Sequence, residues 1–125
     1  MLYLHSAGHA HPSNTISNDF LATLVPHASP DQILRRFGIL YRRSVLALSY
    51  IRETLNQDSK RAQDVASHTP TTLAVAACTM ALERAGLRGQ DIGLVLANCC
   101  TPLQTMPAEE QRIAILAARL RVSII

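Results

Sequence analysis

TPTTLAVAACTMALERAGLRGQDIGLVLANCCT, from Thr69 to Thr101, is the stretch on which the reading of this chain turns. Thr69 can cap a helix, because its hydroxyl accepts one of the backbone N–H groups left over in a first turn. Pro70 follows at the first helical position, where its missing N–H costs nothing and its fixed φ already suits a helix. From Leu73 to Leu82 the residues are Leu, Val, Ala, Cys and Met with little polar interruption. A helix apolar nearly all round is expected to be covered on more than one side. Gly86 supplies the left-handed residue that stops it, and Arg84 lies in the last turn, where the helix dipole favours a cation. After the turn at Leu87–Gln90, the run Ile92–Ala97 is apolar without clean alternation, the pattern of a strand covered on both faces. The fold class expected is α/β, with sheet and helices in layers.

A chain of 125 residues with 48% hydrophobic content can bury a core of its own. The scarcity of aromatic residues, with no Trp, argues against a base-stacking nucleic-acid platform. Acidic residues interspersed among the basic ones weigh further against a nucleic-acid partner. Of the 12 basic residues only Lys60 is a lysine, and arginine grips carboxylates and phosphates with two donors at once. Cys78, Cys99 and Cys100 make no disulfide framework; buried, reduced thiols are the reading. No stretch approaches the roughly 18 apolar residues that a membrane span needs. Met1–His11 lacks a basic start and a long apolar run, so a cytoplasmic protein is expected.

Ahead of the central stretch, Leu2-Tyr3-Leu4 reads as a short strand ended by Ser6-Ala7-Gly8. His5, His9 and His11 alternate, but no Cys or carboxylate lies nearby to complete a metal shell, so they read as loop histidines. Ser17 or Asn18 can cap a short helix carrying Phe20, Leu21 and Leu24, and Ser29 or Asp31 a second through Ile33 and Leu34. Phe37-Gly38-Ile39 ends that second helix in a turn. Arg35, Arg36, Arg42 and Arg43 flank it, placing four guanidinium groups within nine positions. They can hold phosphates or form a solvated face, and composition leaves both open. Between Ser44 and Asp64 the spacing of Val45, Leu48, Ile51 and Leu55 permits an amphipathic helix that drifts into a polar loop.

Beyond Thr101, Pro107 with Glu109 and Glu110 opens a further helix, and Arg119 and Arg121 close it, both in keeping with the dipole. Ile113, Leu116 and Leu120 form its apolar stripe. Val122–Ile125 then begins a strand, an odd place for a complete α/β domain to finish, so the chain looks cut.

Taken together, SAGHAHPSNTISNDFL, RRFGILYRR and the long segment from Thr69 to Leu120 resemble the thiolase-fold condensing enzymes, specifically β-ketoacyl-acyl carrier protein synthase III. The resemblance spans nearly all of residues 1–125 as an N-terminal portion. It implies a thiolase-like layered α-β-α-β-α fold, of which this chain is part of the N-terminal lobe, ending before the nucleophile helix. It implies decarboxylative Claisen condensation of an acyl thioester with a malonyl-type thioester, in fatty-acid-related or specialised metabolism, by an acyltransferase that needs no cofactor. A Cys thiolate lowered by a helix N-terminus and fixed donors for the oxyanion are the physical requirements of that chemistry. None of the family's catalytic Cys, His and Asn falls within this sequence, and Cys99 and Cys100 match the end of an earlier strand instead.

Two positions carry over to substrate binding. Arg36 matches the arginine that holds the nucleotide end of coenzyme A. Gln32 stands where the family has a Trp that stacks on adenine, which shifts the expected donor from acyl-coenzyme A towards an acyl carrier protein. Met106 matches the aromatic residue inserted across the dimer into the partner's acyl pocket, and its narrower, pliable chain leaves room for a longer or branched primer. A homodimer, or a heterodimer with a homologue, is the assembly implied. The alternative is a non-catalytic partner subunit that keeps the fold for pairing.

Overall fold

The computed structural model describes residues 3–98. Expectations placed on Cys99, Cys100, Met106, the helix headed by Pro107 and the strand at Val122 lie outside the described residues. The described residues divide into two compact units: 11–68, and 3–10 together with 69–98.

In the unit of residues 11–68, strand β1 (Asn14–Ser17) runs directly into helix α1 (Asn18–Leu24). Helix α2 spans Pro30–Phe37, strand β2 Tyr41–Ser44, helix α3 Leu48–Thr54 and helix α4 Ser59–Val65. The two strands pair antiparallel, with Asn14 opposite Ser44, Thr15 opposite Arg43, Ile16 opposite Arg42 and Ser17 opposite Tyr41. Phe20, Ile33 and Tyr50 are the buried apolar side chains. The Tyr50 hydroxyl donates to the Asp58 carbonyl at 2.6 Å, so its polar end is satisfied where the ring is buried.

The helix starts follow the side-chain chemistry. Ser17 caps α1, accepting from the Phe20 amide at 3.1 Å. Ser29 caps α2 in a reciprocal box: its hydroxyl accepts from the Gln32 amide, and the Gln32 side-chain oxygen accepts from the Ser29 amide. Gly38, at φ 66°, ends α2 in the left-handed conformation that L side chains avoid.

In the other unit, helix α5 covers Pro70–Ala85. Thr69 caps it, Pro70 opens it, Gly86 ends it at φ 65° and Arg84 lies in its last turn, all as the sequence predicts. A 3₁₀ turn at Gly89–Asp91 follows, fastened by the Arg88 amide donating to the Asp91 carboxylate at 2.8 Å. The irregular segment ahead of residue 10 lies along α5. Ser6 donates from its hydroxyl to the Ala81 carbonyl at 2.7 Å, and Arg84 donates to the Ala7 carbonyl at 2.8 Å.

Several expectations are corrected here. Only Thr71 of α5 is buried, and Cys78 is exposed, so the helix is partly wet and this thiol is no core residue. Ile92–Ala97 is irregular; Leu94 is 60% and Leu96 87% exposed. Tyr3-Leu4 is irregular and exposed as well. A strand exists only through ladder hydrogen bonds to neighbouring strands, and the ladder among the described residues joins β1 to β2 and includes neither apolar run. Conversely, Tyr41–Ser44, just past the expected turn at Phe37–Ile39, is a strand to which the sequence reading assigned no element, and Ser59–Val65 is a helix, capped by the Asp58 side chain, where a polar loop was expected.

Candidate functional site

Helices α1 and α2 and the entry to β2 enclose an open cleft of about 870 Å³. Its apolar lining comes from Leu21 and Val25 on α1, Ile33 and Phe37 on α2, and Ile39 after the Gly38 turn. Its polar lining comes from Gln32, Arg36, Arg42 and His27. Gln32 and Arg36 are one helical turn apart, so both sit on the cleft side of α2. The lining contains two guanidinium groups and no carboxylate.

The four arginines around the turn separate into two kinds. Arg35 is tied to Asp31 one turn back, at 2.9 Å. Arg43 donates across the ladder to the Thr15 hydroxyl at 2.8 Å and to the Ser13 carbonyl at 3.3 Å. Those two serve the local structure. Arg36 lies against the Phe37 ring, 5.6 Å from its centroid, and Arg42 donates to the Asn18 side-chain oxygen at 2.8 Å. Neither pairs with a carboxylate among the described residues, so both leave a formal positive charge facing the cleft.

Asn18 is the buried polar residue of this region, 6% exposed. Besides accepting from Arg42, its amide donates to the Ile39 carbonyl at 3.0 Å. Both ends of the amide are thus used, which is the condition for keeping such a group inside. The position follows from the chain path: Asn18 is the first residue of α1, immediately after β1, and Arg42 sits on the strand paired with β1.

Gln32 is also committed locally. Its side-chain oxygen accepts from the Ser29 amide at 3.1 Å, which folds the side chain back over the start of α2. The position where the resemblance implies a stacking ring therefore holds a capping group. Met106 lies outside the described residues. Among the described residues no cluster of three or more His, Cys, Asp or Glu side chains could hold a metal, and no helix is long and apolar enough to cross a membrane.

The sequence offers Arg42 only as one of four arginines able to hold phosphates and Asn18 only as a possible helix cap, and it does not join the two. The signal for Arg42 is period-two alternation: reading 39–44 as a strand sends Arg42 and Arg43 to opposite faces. Asn18 gives no such signal, because its role depends on a partner 24 residues away.

Neither a family model nor a curated protein matches this sequence. Solved structures do. The 3-oxoacyl-[acyl-carrier-protein] synthase III of Aquifex aeolicus VF5 is 24% identical, with a TM-score of 0.69 over 96% of this chain and 32% of that one. A tetronic acid condensing enzyme is 24% identical, with a TM-score of 0.67 over 94% of this chain and 32% of that one. The priming β-ketosynthase of a polyketide biosynthetic pathway is 23% identical, with a TM-score of 0.70 over 98% of this chain and 30% of that one. The chain thus spans about a third of the length of these structures. What it shares with them is the thiolase-type fold of synthase III-like condensing enzymes.

Proposed function

We propose that residues 1–125 form the first part of the N-terminal lobe of a ketosynthase III-like acyltransferase. The enzyme joins an acyl thioester to a malonyl-type thioester with loss of carbon dioxide, and works as a homodimer or paired with a homologue. The observation that supports this best is the likeness to three condensing enzymes over 94–98% of the chain. In this reading the cleft between α1 and α2 receives the phosphate-bearing end of the donor thioester. Arg36 supplies charge for the phosphate, and the apolar floor of Leu21, Ile33 and Phe37 takes the uncharged part. Gln32, engaged in capping α2, offers no ring for adenine. That favours a donor carried on the phosphopantetheine arm of a carrier protein over free acyl-coenzyme A. Met106 reaches the partner's acyl pocket and sets the primer it accepts.

The test is intact-mass measurement of the full-length polypeptide after incubation with acyl-carrier protein or with acyl-coenzyme A. The reading predicts a mass increase of one acyl group, formed faster from the carrier protein. No acyl-enzyme from either donor would refute the acyltransferase assignment. For Met106, replacement by Phe should shift preference towards shorter primers; an unchanged chain-length profile would remove that residue from the pocket.

A further inference from the structure

We infer that Arg42, set in place by Asn18, is the second phosphate-gripping residue of this cleft, acting together with Arg36. The inference rests on the reading of the cleft as a site for a phosphate-bearing thioester. Three observations carry it. Arg42 lines the cleft together with Arg36, and the lining has no carboxylate to neutralise either. One Arg42 terminal nitrogen is held by Asn18 at 2.8 Å, while no carboxylate competes for the rest of the guanidinium among the described residues. Asn18 is itself buried and fixed at its other end by the Ile39 carbonyl, so it cannot swing away from Arg42 without stranding a buried amide. A guanidinium held at one corner has already lost much of its rotamer freedom, and so loses less when it takes up an anion.

Two cations at the rim of an apolar cleft suit a phosphodiester or phosphomonoester attached to an uncharged chain. Asn18 does not touch that ligand; it is a positioning residue. An acidic side chain in its place would keep an acceptor for Arg42 but would pair with it, drawing the charge away from the cleft.

The probes are 4′-phosphopantetheine and pantetheine, which differ only in the phosphate, with binding measured by calorimetry on the full-length polypeptide. Arg42→Gln is expected to weaken phosphopantetheine about ten-fold, the size of a lost charge-assisted hydrogen bond, while pantetheine binds as before. Asn18→Asp should weaken phosphopantetheine similarly and also leave pantetheine unchanged. Arg42→Lys, which keeps a cation, should recover part of the loss. Phosphopantetheine binding unaltered in Arg42→Gln but lost in Arg36→Gln would overturn the role of Arg42 and leave the cleft reading standing. Equal weakening of both probes in Arg42→Gln would overturn it too, because packing and not charge would then be at stake. If Arg36→Gln and Arg42→Gln both bind phosphopantetheine normally, the cleft reading fails and this inference with it.

Discussion

Gly8 is where one missing atom matters most. A Cβ built there would run into the Ala77 carbonyl and come within 2.8 Å of the Ala81 amide nitrogen, both backbone atoms of α5. Backbone cannot swing aside as a side-chain tip can, so the segment holding Ser6 and Ala7 against the helix would have to lift. Gly8→Ala is expected to lower the stability of the full-length protein by about 1–3 kcal/mol, read as a lower urea midpoint with an unchanged slope. At Gln32 the consequence depends on the proposed role of the cleft as a donor-thioester site. Under that proposal, Gln32→Trp places a flat ring beside Arg36 and removes the acceptor for the Ser29 amide. It should lower the KM for acyl-coenzyme A while leaving that for the acyl-carrier protein little changed, at a cost of about 1 kcal/mol in stability. At this scale the caps were legible in the sequence: Ser17, Ser29, Thr69, Gly38 and Gly86 each act within three or four residues of themselves. Asn18 was not legible as a buried tie, since what fixes it arrives from Ile39 and Arg42.

The elements show the same division between local and distant causes. Helix α5 carries its own start and stop, and its limits were read correctly from Thr69, Pro70 and Gly86. Thr69→Ala removes a reciprocal box with Thr72 and should cost about 1 kcal/mol, visible as faster amide exchange in the first turn of α5. Strands β1 and β2 were missed because their alternation is carried by polar residues, with Arg42 and Arg43 in place of apolar ones. Ile92–Ala97 was misread for the opposite reason: its apolar run speaks of a sheet whose other strands are not beside it among the described residues. Between α3 and α4, Arg61 donates twice to Glu53, at 3.0 and 3.3 Å, and lies over the Tyr50 ring. These hydrogen bonds, and then the charge attraction, hold the Glu53 carboxyl below its usual range. A carboxyl lowered on folding stabilises above its unfolded pKa and loses that contribution as pH falls through the folded one. Both groups are exposed, so the effect is small and screened by salt. Glu53→Gln should therefore trail the wild type slightly at neutral pH and low salt, and the two urea midpoints should converge as the pH falls below the ordinary carboxylate range.

At the scale of the whole molecule, apolar surface outruns cover. Phe20, Ile33 and Tyr50 are the buried apolar side chains among the described residues, whereas Phe37, Leu40, Leu94 and Leu96 are each more than half exposed. The apolar helix and strand patterns in the sequence implied layers on both sides, and the chain spans about a third of the length of the solved structures whose fold it shares. Fold class was legible because the order of elements survives without the cover; burial was not, because burial is a property of neighbours. The direct measurement is thermal unfolding of residues 1–125 alone, followed by calorimetry and by binding of a dye that reports exposed apolar surface. The account predicts a broad transition with little heat, strong dye binding and association at micromolar concentration. A sharp, cooperative melt of a monomer that binds no dye would contradict it.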